Sequence, residues 1–233
     1  MALVQDDNEK KSGATEQINS FFQKNRKFIF FGFLAVIVIL AGFIIGISVK
    51  GKMTEKALSK VDDFSRRYSE LNGFAGGNNT AESVLKQADI AMLVVEINEF
   101  AKKSFGFSAA RAYGLSGDIL SNQYNWESAE TAYLNAAKAA GKSYFTPVCF
   151  FNAAVAAEEQ GNIESAVAHY GKSLDFGNSF PAAARAQFSI GRLEEARNNK
   201  ASALEAYGAV MAKWPGEQLW ANLAQNRIIL LSD

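Results

Sequence analysis

The sequence predicts an all-α protein, a stack of helical hairpins, and the prediction rests on two regular spacings among its 233 residues. In the first spacing, a small residue is followed four positions later by a tyrosine and three positions after that by a small or short apolar residue. This pattern occurs three times, with its tyrosines at Tyr133, Tyr170 and Tyr207, which are 37 residues apart. Steps of three and four residues follow one face of an α-helix, so each copy predicts a helix. The fixed period predicts a stack of repeated units.

The second spacing belongs to the prolines, since Pro147, Pro181 and Pro215 are 34 residues apart. Each follows a short polar, glycine-bearing or aromatic stretch at which a helix can end. Proline fits the first turn of a helix, where its missing N–H has no hydrogen bond to lose, so we expect a new helix to begin with each proline in its first turn. The repeating unit is therefore predicted to be helix, turn, helix.

The repeated residues resemble the tetratricopeptide repeat (TPR), which combines aromatic residues, glycine, alanine and proline in a fixed order. The matching residues are Tyr113, Gly117, Ala129, Tyr133 and Ala136 in the first unit, Phe150, Ala154, Gly161, Ala166 and Tyr170 in the second, and Gly191, Ala203, Tyr207 and Pro215 in the third. Gly141 and Asn178 stand where the closing proline of the family is expected. The resemblance implies three degenerate TPR-like repeats over residues 110–217, arranged as an α-solenoid.

A segment without any charged side chain covers residues 28–49, and Lys27 and Lys50 flank it. A helix of this length measures about 33 Å, enough to cross a hydrocarbon core of about 30 Å, so the segment predicts a single transmembrane helix. A cleaved signal peptide is the alternative, but its apolar region is usually shorter and is followed by small residues rather than lysines. Gly42 and Gly46 form a small-xxx-small pair that could pack on a partner helix.

The rest of the chain is predicted to be helical as well. Residues 50–109 contain apolar stripes at helical spacing over 53–72 and 81–103, which we interpret as juxtamembrane and N-terminal helices of the array. In the second stripe, the side chains expected to face the stack are Val84, Leu85, Ala88, Met92, Val95 and Phe100. Residues 218–233 are predicted to form a C-terminal capping helix, because a repeat array needs a cover for its last unit.

Composition argues against several classes of function. The 24 basic and 24 acidic side chains cancel, so no broad field attracts nucleic acid. Cys149 and His169 are the only residues of their types, which leaves too few ligands for a zinc centre and no catalytic triad. No phosphate-binding glycine loop ends in Lys-Ser or Lys-Thr. We therefore expect no enzyme activity, no cofactor and no small-molecule substrate, and we expect Cys149 to be packed in a helix, with a reactive thiol as the alternative.

The order of elements, with a polar tail at residues 17–25, one span and a compact repeat array, resembles the ancillary, YfgM-like subunit of the SecYEG translocon. That resemblance implies a protein of the bacterial inner membrane with residues 1–27 in the cytoplasm and the array outside. Its partners would be translocon subunits, exported polypeptides or periplasmic chaperones. Lysines flank both ends of the span, so charge alone does not decide the orientation. A structural scaffold for an envelope-assembly or cell-division complex is the alternative function.

The resemblance to TPR proteins also implies a binding groove lined by the first helix of each hairpin. The residues that map to this groove are Arg111, Asp118, Phe151, Val155, Glu158, Arg185, Phe188, Arg192 and Glu195. Aromatic surface together with both signs of charge suits transient binding of an extended or helical apolar segment. In the alternative, Phe151 and Phe188 belong to the core between helices.

Overall fold

A computed structural model describes the backbone of residues 3–73 and 80–232. Within these ranges, the side chains outside the description are those of residues 3–22, 29, 33, 38, 41–50, 52, 80–83 and 178. The described helices are α1 (Leu3–Gly73), α2 (Thr80–Lys103), α3 (Gly106–Asn122), α4 (Trp126–Ala140), α5 (Phe145–Glu159), α6 (Ile163–Leu174), α7 (Ala183–Ala196), α8 (Lys200–Lys213) and α9 (Gln218–Ser232), with a 3₁₀ turn at Gly177–Ser179. The predicted all-α class is confirmed.

The chain divides into two compact units, Met1–Met53 and Thr54–Asp233. In the first unit, the large apolar side chains that the structure describes are exposed, namely those of Phe28, Phe30, Phe31, Leu34, Val36, Ile37, Ile39, Leu40 and Met53. Within the described parts of the chain, no helix combines the length and the apolar character needed to cross a membrane. The predicted span over residues 28–49 includes side chains outside the description, among them the Gly42 and Gly46 pair, and it stays a prediction.

The second unit begins with a helical hairpin made by the last part of α1 and by α2. Phe64 of α1 is fully buried, and its ring lies 5.6 Å from that of Phe100 in an edge-to-face contact. The buried side chains of α2 are Ile90, Leu93, Val94, Ile97 and Ala101. The expected facing residues Val84, Leu85, Ala88, Met92 and Val95 are instead exposed. That prediction was wrong because α2 is apolar on several sides, so the spacing did not decide which side packs.

Helices α3 to α8 form three successive hairpins, and each hairpin buries its tyrosine. Tyr133, Tyr170 and Tyr207 are at most 5% exposed. The second helix of each hairpin begins after an asparagine whose side chain accepts a hydrogen bond from the backbone N–H three residues later, a standard N-terminal cap. These asparagines are Asn125, Asn162 and Asn199, with distances of 3.4, 3.2 and 3.4 Å. The array of TPR-like hairpins is therefore confirmed, and its turns follow the same 37-residue period.

The prolines lie near helix starts, but only Pro147 lies in the first turn of a helix, α5. Pro181 precedes the first residue of α7 by two positions, and Pro215 lies in the turn before α9. The connection before α7 is long enough to hold a 3₁₀ turn, and the N–H of Glu217 closes the turn before α9 by donating to the carbonyl of Trp214 at 3.0 Å. The expectation of a helix starting with each proline in its first turn was therefore wrong for two of the three.

Close helix crossings in the first and third hairpins depend on glycine. A Cβ atom added at Gly117 would lie 2.6 Å from the ring of Tyr133, and one at Gly191 would lie 2.6 Å from the ring of Tyr207. The second hairpin has Ala154 at the equivalent position.

The C-terminal helix α9 covers the third hairpin, because the ring of Trp220 lies 5.5 Å from that of Phe188.

Candidate protein-binding face

The predicted groove residues lie on the first helices of the three hairpins, and the charged ones reach the surface to different degrees. Arg111 and Asp118 are on α3, Phe151, Val155 and Glu158 are on α5, and Arg185, Phe188, Arg192 and Glu195 are on α7. The three arginines and Asp118 are exposed, whereas Glu158 and Glu195 are half-buried. We call the surface formed by these charged residues together with Arg227 of α9 the first-helix face.

The two phenylalanines are structural members of the core rather than open binding surface. Phe151 is 8% exposed, and its ring lies 5.3 Å from that of Tyr170 and 5.9 Å from that of Phe180. Phe188 is half-buried, with its ring 5.3 Å from that of Tyr207. Val155 packs in the same apolar cluster as Phe151. Phe151 therefore belongs to the core between helices, and Phe188 belongs to it in large part. Each ring fills the space beside the tyrosine of its hairpin.

Exposed arginines cover the aromatic rings of α5. The guanidinium of Arg185 lies 5.0 Å from the centre of the Phe151 ring, and that of Arg111 lies 5.5 Å from the centre of the Phe145 ring. Contacts of this kind hold a cation over an aromatic face and leave the edges of the guanidinium, with their N–H donors, accessible. The two arginines are thus positioned on the surface with donors to offer.

Carboxylates on the same face are held by a repeated arrangement of tyrosine and arginine. The hydroxyl of Tyr170 donates to Glu158 at 3.2 Å, and Arg192 of the next hairpin donates to the same carboxylate at 2.6 Å. One repeat later, the hydroxyl of Tyr207 donates to Glu195 at 2.9 Å, and Arg227 donates to it as well. This arrangement ties each hairpin to the next element of the array.

The first hairpin replaces this arrangement with a different one. The hydroxyl of Tyr133 donates to Asp118 at 2.8 Å and lies 3.2 Å from the hydroxyl of Ser121, the residue equivalent to Glu158. Loss of water around the carboxylate raises the pKa of Asp118, although part of its side chain reaches solvent and the Tyr133 hydrogen bond opposes the shift. Burial, and then the charge of Asp118, raise the pKa of Tyr133.

Tyr170 should make the stability of the array depend on alkaline pH. Burial, and then the charge of Glu158, raise the pKa of Tyr170 from 10.0 to about 12. The folded state therefore keeps a proton that the unfolded chain loses above pH 10, and stability falls as pH rises from there towards 12. We expect Tyr170→Phe to be less stable than the wild type at pH 8 by about 1 kcal/mol, the net value of a hydrogen bond, and the difference to shrink above pH 10.

Urea midpoints measured across this pH range test the expectation. Tyr124→Phe is the matched control, because it removes the same hydroxyl from a tyrosine that is 79% exposed. A difference between the wild type and Tyr170→Phe that stays constant up to pH 12 would contradict the shifted pKa.

A second polar cluster joins the second helices α4 and α6 and the residue that follows α5. Nε2 of His169 lies 2.9 Å from Oε1 of Glu130, and Gln160 donates to the other oxygen of that carboxylate at 2.8 Å. Nδ1 of His169 is buried without a hydrogen-bond partner in the described part of the chain. Among the described residues, no group of three or more His, Cys, Asp or Glu side chains is arranged to hold a metal ion. The cluster therefore joins the first and second hairpins structurally.

Cys149 is 1% exposed, and burial raises the pKa of its thiol to about 12. The thiolate is the reactive form, and at neutral pH almost none of it is present in the folded state. We expect maleimide modification of the folded chain to be at least about a hundredfold slower than that of the urea-unfolded chain. A variant with Cys149→Ala and Lys142→Cys, which moves the thiol to the surface, serves as the control and should react at equal rates in both states.

The fold and this face define an all-helical array of TPR-like hairpins. No family model matches the chain. It is 39% identical over 127 residues to a TPR repeat-containing protein of Treponema pallidum (strain Nichols), a match that covers 54% of this chain and 52% of the relative. The chain thus spans about half the length of the curated relative it matches. This similarity agrees with the TPR-like hairpins of the array.

Two solved structures also match part of the chain. The crystal structure of YrrB, described as a TPR protein with an unusual peptide-binding site, has 15% identity and a TM-score of 0.42, over 58% of this chain and 66% of YrrB. The crystal structure of MamA has 18% identity and a TM-score of 0.46, over 71% of this chain and 96% of MamA. The resemblance to the translocon subunit is not tested by these similarities and stays a prediction.

Proposed function

We propose that this protein is a membrane-anchored protein-binding module whose first-helix face binds polypeptide segments. The observation that carries the proposal is the pair of exposed guanidiniums of Arg111 and Arg185, each held over a ring of α5. Arginine presents five donors in a fixed fork, which matches carboxylates and backbone carbonyls of a bound chain. Stacked repeats suit this role because they present such groups along an extended surface.

The internal pairing on the face limits what it can bind. Glu158 and Glu195 already accept hydrogen bonds from tyrosine and arginine, so they fix the helices and offer few open acceptors to a partner. The donors of Arg111 and Arg185 lie outside those pairs. A partner segment would therefore contribute acceptor groups, and exposed contacts of this kind give weak and rapidly reversible binding.

The proposed anchor is the segment over residues 28–49, which would hold the chain in the bacterial inner membrane with residues 1–27 in the cytoplasm. Its lack of charge and its length support this location. The exposure of its described apolar side chains, from Phe28 to Leu40, supports it further, because a contiguous apolar helix surface is stable against lipid and costly in water. The array would then lie on the extracytoplasmic side.

Near this membrane, we propose that the chain acts as an ancillary translocon subunit that binds exported polypeptides or periplasmic chaperones. The weak, donor-rich face supports this role, since it suits many different segments rather than one. The alternative is a scaffold that holds one folded partner of an envelope-assembly or cell-division complex. The two functions differ in the number and the folded state of their partners.

Photo-crosslinking in cells from the full-length chain tests the proposal. A photoreactive residue replaces Asp118 on the first-helix face, with Arg111 and Arg185 left in place, and Asn135, which is exposed on α4, is the control site. Many exported polypeptides together with translocon subunits, captured from the face and not from the control, would support the translocon function. A single folded partner would favour the scaffold. Equal yields from face and control sites would contradict protein binding by this face.

A further inference from the structure

Alternate connections of the array lie at one edge. Neighbouring helices joined by short connections run antiparallel, so the connections at residues 104–105, 141–144, 175–182 and 214–217 share one end of the helices. We call this end the basal edge. The part of α1 that packs on α2 runs antiparallel to it, because Arg67 lies opposite Glu96 and Phe64 lies opposite Phe100. Lys60 and Arg67 both reach Glu96, at 3.7 and 2.7 Å.

Lysines are concentrated at the basal edge. The helices that end there, α2, α4, α6 and α8, carry lysine in their last turn, at Lys102, Lys103, Lys138, Lys172 and Lys213. Lys142 lies in the second connection. The helices that begin there, α3, α5, α7 and α9, have no acidic residue in their first turn. Asp175 and Glu217 are the acids of the four connections.

The helix dipole does not explain this distribution. It favours lysine at helix ends and acidic residues at helix starts at both edges of the array. At the opposite edge, α4 and α6 do begin with Glu127 and Glu164, but α3, α5, α7 and α9, which end there, carry no basic residue in their last turn. Arg197 and Lys200 also lie at the opposite edge, beside those acids, so the excess of basic side chains is found at the basal edge, although the chain as a whole is neutral.

Each basal connection also carries an aromatic side chain. Phe105 is 87% exposed and Tyr144 is 74% exposed, while Phe176 and Trp214 are half-buried. The ring of Phe107, in the first turn of α3, lies 5.7 Å from that of Tyr144, so an aromatic contact joins the start of α3 to the second connection. The connections of the opposite edge that the structure describes are 123–125, 160–162 and 197–199, and they contain Gln, Asn, Gly and Arg apart from Tyr124. Exposed aromatic rings beside lysines thus distinguish the basal edge.

We propose that the basal edge lies on an anionic lipid surface, with Phe105 and Tyr144 at headgroup level and the basal lysines on lipid phosphates. Aromatic rings with a polar or basic neighbour partition to the membrane interface, and lysines near a surface are attracted to anionic lipid. The second unit begins at residue 54, five residues after the end of the proposed span in the sequence, and its α1 segment runs away from the basal edge along α2. The proposal rests on the membrane anchor described under Proposed function.

Nitroxide spin labels on the full-length chain in liposomes of phosphatidylglycerol and phosphatidylethanolamine test this edge. The native thiol is removed by Cys149→Ala. Single labels are placed by Ser104→Cys at the basal edge and by Gln123→Cys at the opposite edge. We expect the ratio of oxygen to nickel-complex accessibility to be several-fold higher at 104 than at 123. We also expect this contrast to decrease when Lys103→Gln and Lys142→Gln are added or when all lipid is zwitterionic.

The outcomes separate the edge from the anchor. Equal, water-like accessibility at both positions, in a chain that floats with the liposomes, would overturn the basal-edge proposal and leave the anchor intact. A chain that does not float would overturn the anchor and the edge together. A label at 104 that is water-accessible in liposomes but becomes shielded in native membrane vesicles would assign the edge to a protein partner, which also overturns the proposal.

Discussion

Phe64→Ala is expected to lower the free energy of unfolding of the array by about 3–5 kcal/mol, the usual loss when a buried phenylalanine is truncated to alanine. The side chain is fully buried between α1 and α2, and its ring contacts that of Phe100 at 5.6 Å. The Lys60 ammonium lies 4.7 Å from its ring centre and the Arg67 guanidinium 5.8 Å. The substitution removes both the apolar contact and the ring that holds these cations in place.

Urea unfolding of the detergent-solubilised chain, followed by far-UV circular dichroism, measures the effect. Phe105→Ala is the matched control, because it removes the same ring from an exposed position and should change stability by no more than about 0.5 kcal/mol. Phe64→Leu should fall between the two, since it keeps most of the buried apolar volume. A similar loss of stability for Phe64→Ala and Phe105→Ala would show that the hairpin of α1 and α2 does not contribute to the stability of the array.

The hairpins could be predicted from the sequence because their signal repeats. A single tyrosine at helical spacing occurs in any packed helix, but Tyr133, Tyr170 and Tyr207 recur at a fixed interval and bury the same way in each copy. The first hairpin of the second unit has no such repetition. In α2, apolar residues lie on several sides, so the side that packs is set by where α1 docks, which the local spacing does not encode.

The candidate face could be predicted as a set of helices but not as a set of side-chain directions. The groove positions fall on α3, α5 and α7, yet Phe151 points into the core because its ring packs beside Tyr170. The tyrosine–carboxylate–arginine arrangement was missed, although Glu158 and Glu195 are separated by the same interval as the tyrosines. The arrangement could therefore have been predicted from the sequence, because a glutamate lies 12 residues before the buried tyrosine in both the second and the third hairpin.

Gly191→Ala is expected to lower the free energy of unfolding by about 1–3 kcal/mol, the usual cost of overpacking. The added Cβ would lie 2.6 Å from Cε1 of Tyr207, and Tyr207 is fully buried and hydrogen-bonded to Glu195, so the ring has little room to move. Gly208→Ala is the matched control. A Cβ there meets nothing within 4 Å, so it should stabilise helix α8 by about 0.5–1 kcal/mol.

The second hairpin indicates how the array accommodates the same methyl group. Ala154 stands there at the position equivalent to Gly191, and it belongs to the same buried cluster as Tyr170. If the contact with the Tyr207 ring causes the loss of stability, Gly191→Ala should no longer lower the free energy of unfolding in a Tyr207→Leu background. There the methyl group has space, and the helix gains an alanine. Urea midpoints of the two single variants and the double variant form the cycle. Additive losses would mean that Gly191 acts through the backbone of α7 rather than through its contact with Tyr207.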